Sequence, residues 1–109
     1  MDLKVQRDGK IVSTMTLKRL KNGDIDIEYV KTDPMYRGQG LSSSLLKKAM
    51  TMADKMGVSL VAFIEPDKSG GLTFDQEEQW LARYGFVKVR YDYGGYFKPV
   101  MIYSSGKTI

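Results

Sequence analysis

Three dipeptides that end in glycine divide much of the chain into short segments. The spacing of these turn signals limits the folds that the chain can adopt. Asp8-Gly9, Asn22-Gly23 and Gly94-Gly95 each separate two stretches rich in alternating apolar and polar residues. Asn-Gly and Asp-Gly favour the type I′ turn, in which both central residues have positive φ. Each pair therefore predicts a β-hairpin with a two-residue loop.

The alternating stretches predict six strands. In the second of them, Ile11, Ser13, Met15 and Leu17 are expected to share one face of the sheet. The fourth, VSLVAFI, is almost continuously apolar, which is typical of a strand buried on both faces. The predicted strands are Leu3–Arg7, Ile11–Leu20, Ile25–Thr32, Val58–Ile64, Phe86–Tyr93 and Tyr96–Tyr103.

Two segments have the period of a helix instead. Leu41–Met56 carries an apolar stripe at i, i+4 spacing, and Gly57 follows where a helix commonly ends on glycine. Phe74–Tyr84 reads as a second helix, with Gly85 as its cap, after a polar, glycine-rich loop at Glu65–Thr73. Trp80, Leu81 and Tyr84 are its expected packing residues.

The resulting order is β-β-β-α-β-α-β-β in a single domain of residues 1–109. Because the long helix joins the third and fourth strands, these two are expected to be parallel, with a right-handed crossover. The remaining strands are linked by hairpins or by the second helix. The predicted fold is therefore α/β (α+β), with a mixed, mostly antiparallel sheet and a central parallel pair.

The composition excludes several kinds of chemistry. With neither cysteine nor histidine, the chain has no disulfides, no thiolate nucleophile and no Ser-His-Asp triad. Only carboxylates remain as strong metal ligands, so no metal is expected. There is no signal-peptide core and no run of about 18 apolar residues, so we expect a cytoplasmic protein with no membrane association.

The net charge of +4 favours anionic partners. The basic residues are scattered along the chain, which is more typical of a solvated surface than of a nucleic-acid-binding face. Nucleic acid is therefore the less favoured partner, and an anionic substrate or a phosphate-bearing cofactor is preferred.

The stretch DPMYRGQGLSSSLL joins the third strand to the long helix. Helix N-termini expose unpaired N–H groups that attract phosphate. Gly38 and Gly40 would let the backbone approach an anion, and Arg37 could add a positive charge. Gly40-Leu41-Ser42 does not fit a Walker A loop, and the third glycine of a dinucleotide-binding fingerprint is missing.

The longer segment VKTDPMYRGQGLSSSLL resembles the acetyl-CoA motif of the GNAT N-acetyltransferase superfamily. WLARYGF is similar to that family's second helix, which usually closes on Gly-Phe before a terminal hairpin. The predicted strand order also matches the family's core, so the resemblance covers nearly the whole chain. It implies a GNAT-like acetyltransferase domain in a minimal form, without the family's N-terminal helices.

The resemblance implies acetyl-CoA as cosubstrate and direct transfer of the acetyl group to an amine. The backbone amides of the loop would hold the CoA diphosphate, and the edge of the third strand would pair with the pantetheine arm between two splayed strands. The cofactor-binding residues implied in this way are Val30, Lys31, Thr32, Arg37, Gly38, Gln39, Gly40, Leu41 and Ser42.

The amine must lose a proton before it attacks, because amines of pKa near 10 are mostly protonated at pH 7. Glu28 is the first candidate for the base, since many family members carry glutamate there. Asp26 is expected to share its face, and two nearby carboxylates could raise the pKa of one. Glu65 is the second candidate. Either could instead be a solvated surface carboxylate.

The sequence departs from the family pattern at the expected general acid. Where many members place a tyrosine, this chain has Leu81. Tyr84 could protonate the departing thiolate in its place, or could simply pack. Without the N-terminal helices the acceptor side would be open, or completed by another chain such as the second copy of a homodimer.

Two functions remain open at this point. One is an acetyl-CoA-dependent N-acetyltransferase acting on a primary amine of a small molecule or a protein. The other is a catalytically weak or inactive GNAT-like protein that binds CoA or a macromolecular partner.

Overall fold

A computed structural model of the chain describes residues 1–63, 73–93 and 95–104. The described part contains six strands, two α-helices and a short 3-10 turn at Pro34–Tyr36. The strands are β1 (Asp2–Arg7), β2 (Lys10–Arg19), β3 (Ile25–Thr32), β4 (Leu60–Phe63), β5 (Val87–Tyr93) and β6 (Tyr96–Tyr103). The helices are α1 (Leu41–Met56) and α2 (Phe74–Arg83).

The strands form one sheet in the order β1-β2-β3-β4-β6-β5. β3 and β4 are parallel, and every other neighbouring pair is antiparallel. This confirms the predicted mixed sheet with a central parallel pair. The chain crosses from β4 to β5 through α2, and β6 then returns between those two strands, so β4 and β5 point in the same direction.

The ends of both helices follow the local sequence. Gly57 ends α1 with φ of 67°, and its N–H donates to the carbonyl of Asp54 over 3.2 Å. Thr73 begins α2 with a capping box: its Oγ1 accepts from the N–H of Gln76, whose Oε1 accepts from the N–H of Thr73. Neither helix in the described ranges is long and apolar enough to cross a membrane.

Among the described residues, an apolar cluster joins the sheet to both helices. The stripe of α1 is fully buried at Leu45, Leu46, Ala49 and Ala53, as its period predicts. The other buried members are Met15, Leu17, Ile25, Ile27, Leu60, Ala62, Leu81, Phe86 and Met101. Because β4 is buried along Leu60–Ala62, the expectation of a strand covered on both faces is confirmed.

Two β-bulges interrupt the alternation that the sequence suggested. The β1–β2 register shifts between Val5 and Gln6, leaving Val12 as an extra residue. As a result Val12 is only 2% exposed, whereas Ile11 is 45% exposed. The prediction that Ile11 shares the buried face of Ser13 was therefore wrong.

The second bulge lies in β3. Thr16 pairs with Tyr29 and Leu17 with Ile27, so Glu28 is the extra residue. Strict alternation from Asp26 to Glu28, on which the prediction of a shared face relied, is broken at this point.

The three glycine-containing dipeptides do not all form the predicted hairpin turn. Asp8 and Gly9 have φ of 54° and 75°, as a type I′ hairpin requires. Asn22 does not adopt positive φ, and residues 20–24 form a five-residue connection closed by the bond from the N–H of Leu20 to the carbonyl of Asp24. The two-residue hairpin predicted there was wrong. Of the third pair, Gly94 lies outside the described residues.

Several predicted bounds also shift. β4 begins at Leu60 and not at Val58, and Ile64 lies outside the described residues, as does most of the predicted loop Glu65–Thr73. β5 begins at Val87, because Phe86 packs into the core just before the strand. Tyr84 caps α2 and is not part of it.

Candidate cofactor site

The connection from β3 to α1 is a rigidly built loop. Asp33 caps the 3-10 turn, since its Oδ1 accepts from the N–H of Met35 over 3.0 Å. Its Oδ2 lies 2.9 Å from Nζ of Lys10, at the tip of the β1–β2 hairpin. The hydrogen bond from Lys10, helped by the N–H of Met35, holds the pKa of Asp33 below its usual range, and the same bond raises the pKa of Lys10.

Two glycines shape the approach to α1. Gly38 and Gly40 have φ of 81° and 75°, a conformation that residues with a Cβ rarely adopt. The space that a Cβ would occupy is open at both positions. Backbone N–H groups can therefore face a ligand here without an intervening side chain.

A row of unused amide donors results. Ser44 is the first residue of α1 whose N–H is bonded, to the carbonyl of Gly40 over 3.0 Å. Within the described residues, no hydrogen bond joins the backbone N–H of residues 37–43 to a protein acceptor. Unused amides and the positive end of a helix dipole together attract anions, so this segment is a candidate anion site. Arg37 stands at its start, where its Nε donates to the carbonyl of Thr32 over 3.3 Å.

A chain of three hydroxyl groups supports this site from behind. Oγ of Ser13 lies 2.8 Å from Oγ1 of Thr32, which lies 2.8 Å from Oγ of Ser42. Ser13 and Thr32 are 1% and 9% exposed. The chain thus links β2, β3 and the first turn of α1, with each bond contributing about 0.5–1.5 kcal/mol.

A cleft of about 280 Å³ opens beside the amides. It is lined by Val30, Thr32, Tyr36, Arg37, Gly38, Gly40, Leu41, Ser42, Ser43, Glu77 and Trp80. α2 closes one side, where Nε1 of Trp80 donates to Oγ of Ser43 over 3.0 Å. The cleft therefore lies between the end of β3, the start of α1 and the middle of α2.

The sheet is split next to this cleft. The β3–β4 ladder contains two residue pairs, Ile25 with Leu60 and Asp26 with Val61. Beyond them, no further pair joins β3 to the described residues of β4. Among the described residues, no strand pairs with the edge of β3 that faces β4 at Val30 and Thr32, and an exposed strand edge of this kind is one to which an extended ligand can add.

Most of the predicted cofactor-binding residues meet in this cleft. Val30, Thr32, Arg37, Gly38, Gly40, Leu41 and Ser42 line it. Lys31 and Gln39 are exposed and are not among its lining residues, although both lie in the segments that form it. Whether these residues bind a cofactor stays a prediction.

The predicted catalytic residues are placed elsewhere. Glu28 is half-buried and lines a second depression with Thr16, Lys18 and Arg19, whereas Asp26 is almost fully buried and is not part of that lining. Tyr84 does not line the cleft; its ring centroid lies 6.4 Å from that of Trp80 and 6.0 Å from Nζ of Lys47. Glu65 lies outside the described residues.

Two residues of α2 line the cleft although the sequence analysis did not predict them to be part of it. Trp80 was expected to pack, and it is half-buried while also lining the cleft. Glu77 was not predicted to be a site residue. Glu77 begins an i, i+3, i+4, i+7 series that continues through Trp80, Leu81 and Tyr84. Such a position is usually apolar, so the charged residue there was the signal in the sequence that could have identified it.

The fold thus combines a helix N-terminus with unused amides, a cleft beside it and a short β3–β4 ladder. The family model described as the acetyltransferase (GNAT) family matches residues 3–71, which is more than half of the sequence. The chain belongs to this family, and the predicted resemblance is confirmed. No curated protein matches the sequence.

Several solved structures share this fold. The ribosomal-protein-alanine N-acetyltransferase from Escherichia coli matches with a TM-score of 0.68 and 17% identity, over 94% of this chain and 65% of that one. A GNAT-family acetyltransferase from Staphylococcus aureus matches with a TM-score of 0.67 and 15% identity, over 92% and 64%. The chain thus spans just under two thirds of the length of these enzymes.

An anti-CRISPR protein, AcrVA5, is similar in size as well as in fold. It matches with a TM-score of 0.65 and 16% identity, over 94% of this chain and 98% of that one. At these identities the likeness shows the fold alone. It also shows that the fold occurs in a protein of about this length.

Proposed function

We propose that the chain is an acetyl-CoA-dependent N-acetyltransferase that moves the acetyl group directly to a primary amine. The observation that carries the proposal is the row of unused amides at residues 37–43, in a segment that borders a cleft beside the short β3–β4 ladder. This arrangement suits a diphosphate followed by an extended arm. Family membership supports acetyl-CoA as the ligand with that chemistry.

In the proposed reaction the diphosphate binds the amides, with Arg37 and Gly40 at the centre of the cradle. The pantetheine arm pairs along Val30, Lys31 and Thr32 and brings the thioester to the split between β3 and β4. A neutral amine then attacks the acetyl carbon, and CoA leaves as the thiol.

Glu28 is proposed as the base that accepts the proton of the amine. The bulge in β3 places it in its own depression, next to Lys18 and Arg19 and apart from the cofactor cleft. Donor and acceptor would then approach the split from different sides. Glu65 stays a second candidate for the base, and Tyr84 a candidate for the acid.

The acceptor is proposed to be a primary amine of a small molecule or of a protein. One structural neighbour is named for its action on an alanine of a ribosomal protein, so a protein α-amine belongs on the panel of acceptors. A cytoplasmic location and a homodimer that completes the acceptor side stay predictions from the sequence.

The test combines binding and turnover. We expect calorimetry to show saturable acetyl-CoA binding, and a thiol-release assay to show turnover with at least one amine of a panel of peptides, polyamines and small metabolites. Glu28→Gln is expected to lower kcat by about 100-fold, the usual contribution of a general base, while the Kd for acetyl-CoA stays within about twofold. Asp2→Asn, at the start of β1, is the matched control. Absence of saturable binding would refute the proposal.

A second candidate, a GNAT-like binding protein without turnover, is favoured by one observation. Leu81 is 1% exposed and belongs to the apolar core, at the position where many family members carry tyrosine. Binding of acetyl-CoA without turnover on any amine would select this candidate. Turnover that is lost in Glu28→Gln would exclude it.

A further inference from the structure

Asp33 joins the first hairpin of the sheet to the loop of the candidate cofactor site. On the hairpin side, its N–H donates to the carbonyl of Val12 over 2.8 Å, and its Oδ2 lies 2.9 Å from Nζ of Lys10. On the loop side, its Oδ1 accepts from the N–H of Met35 over 3.0 Å, and its carbonyl accepts from the N–H of Tyr36 over 2.8 Å. The 3-10 turn is therefore tied to the β1–β2 hairpin through this one residue.

The 3-10 turn leads directly into the row of unused amides. Pro34–Tyr36 is followed by Arg37, whose N–H is the first of that row. Tyr36 and Arg37 also line the cleft. Because the turn is only 3 residues long, a shift of Asp33 would move these amides with it.

Lys10 is held within reach of Asp33 by the hairpin that bears it. It follows the turn at Asp8 and Gly9, whose φ values of 54° and 75° set the direction of the returning strand. The side chain of Lys10 is 62% exposed and does not line the cleft, whereas that of Asp33 is 21% exposed. Lys10 is thus connected to the cofactor site through Asp33 and not by contact with the cleft.

The ion pair also sets the charge at the entrance to the site. A carboxylate without a partner would repel an anionic ligand, because like charges oppose each other. The hydrogen bond from Lys10, together with the one from the N–H of Met35, lowers the pKa of Asp33, and the charge of Arg37 acts in the same direction. Without Lys10, Arg37 would have to balance Asp33 as well as the ligand.

We propose that Lys10 is a positioning residue for the cofactor site. Through Asp33 it holds the loop in the conformation that presents the amides of residues 37–43, and it neutralises a carboxylate that would otherwise oppose the phosphates. The inference rests on the proposed binding of acetyl-CoA. An ion pair as exposed as this one adds little to the stability of a fold, so its loss should be measurable mainly in binding.

The first test measures the Kd for acetyl-CoA by calorimetry at low ionic strength, where exposed charges are least screened. Lys10→Met removes the charge and keeps a long side chain, and its Kd should rise about fivefold. Lys10→Arg keeps the charge and should return the Kd to within about twofold of the unaltered value. If the chain turns over, the KM of Lys10→Met should rise while kcat stays unchanged, since Lys10 touches no reacting atom.

Lys4→Met is the matched control for the loss of one positive charge. Lys4 is an exposed lysine of the same hairpin and does not line the cleft. Its substitution should leave the Kd within about twofold of the unaltered value. An equal rise in Kd for Lys4→Met and Lys10→Met would show an effect of net charge alone and would overturn the inference.

A second pair of variants separates positioning from direct contact with the ligand. Asp33→Asn keeps a side-chain oxygen to cap the 3-10 turn but removes the charge that Lys10 neutralises. In this background Lys10→Met should change the Kd by less than about twofold, because the two residues act as one unit. A further fivefold loss there would mean that Lys10 binds the ligand itself, which would overturn the inference.

Urea unfolding shows whether a weaker Kd reflects a damaged fold. Lys10→Met and Lys4→Met should unfold at the same urea concentration, as expected for an exposed ion pair. If the Kd of Lys10→Met is unchanged, or if binding weakens only in step with the folded fraction, the inference is overturned while the proposed function stands. If the unaltered chain binds no acetyl-CoA, the proposed function fails as well.

Discussion

β3 is bounded by two glycine-containing turns that use their polar groups in opposite ways. Before the strand, the carboxylate of Asp24 accepts from the N–H of Ser59 over 3.1 Å and from the hydroxyl of Tyr91 over 2.7 Å. Asn22 donates to that same hydroxyl over 2.6 Å and accepts from the N–H of Asp24. In this closed turn, the side chains of Asn22 and Asp24 are therefore both bonded to other groups of the protein.

In the open turn after the strand, side-chain bonds hold the chain in place, whereas several of its backbone amides are left without acceptors among the described residues. Asp33 pairs with Lys10, and Thr32 bonds to both Ser13 and Ser42. The amides of residues 37–43 have no protein acceptors among the described residues, and all of these residues except Gln39 line the cleft. A glycine turn is therefore a candidate binding site only where folding leaves its donors unused, and that distinction can be tested.

The largest expected effect comes from adding a Cβ to each turn. Gly23 and Gly40 both have positive φ, so replacing either with alanine should lower the free energy of unfolding by about 1–2 kcal/mol. Only Gly40→Ala places a methyl group where the diphosphate is proposed to bind. Its Kd for acetyl-CoA should rise at least about tenfold, or about 1.4 kcal/mol, by calorimetry.

Gly23→Ala is the matched control, and its Kd should stay within about twofold of the unaltered value. Equal effects of the two substitutions on binding would contradict the distinction between a closed and an open turn.

A smaller effect is expected from the hydroxyl chain behind the cradle. Thr32→Val removes the hydroxyl that links Ser13 to Ser42 and keeps the shape of the side chain. The KM for acetyl-CoA should rise about threefold with kcat unchanged, because a bond of about 0.5–1.5 kcal/mol holds the first turn of α1 in place. Thr32→Ser should restore the KM.

Thr14→Val makes the same change on the neighbouring strand, at a half-buried position away from the cleft. A rise in KM as large as that of Thr32→Val would show that the effect is one of general stability.

The smallest effect concerns the closed turn and depends on pH. Partial burial raises the pKa of Tyr91, and the bond it donates to Asp24 acts in the same direction. A raised pKa stabilises the fold below the unfolded value of 10.0, and that contribution is lost as the pH rises through the folded pKa. Tyr91→Phe should lower the free energy of unfolding by about 0.5–1.5 kcal/mol at pH 7, and by less above pH 10.

Urea unfolding across this pH range measures the difference, with Tyr29→Phe, at an exposed tyrosine, as the control. The Kd for acetyl-CoA should not change in Tyr91→Phe. A difference in stability that grows with pH, or a weakened Kd, would contradict the assignment of this turn to structure alone.

The sequence predicts those parts of the molecule that depend on short-range chemistry. The bounds of α1, its glycine cap, the Asp8-Gly9 hairpin and the amides of residues 37–42 all follow from helical period or turn preference. The parallel pair follows from the crossover rule. Most of the proposed cofactor site is therefore predictable, because one continuous segment forms it.

What the sequence could not supply depends on neighbours distant along the chain. A bulge exists only relative to the partner strand, so the extra residues Val12 and Glu28 are not visible in β2 or β3 alone. Asn22 was expected to favour a tight hairpin, but its side chain bonds to Tyr91, 69 residues away. Glu77 reaches the cleft through the packing of α2 on α1.

The proposed function requires that the segment after β3 is an open anion site that receives acetyl-CoA. The most direct test is to titrate the ¹⁵N-labelled chain with acetyl-CoA and follow its backbone amide resonances. If acetyl-CoA binds at this site, we expect saturable shifts that are largest at residues 37–43, with smaller ones at residues 30–32 and none at residues 20–24. Shifts centred on residues 20–24, or no saturable change at residues 37–43, would contradict it.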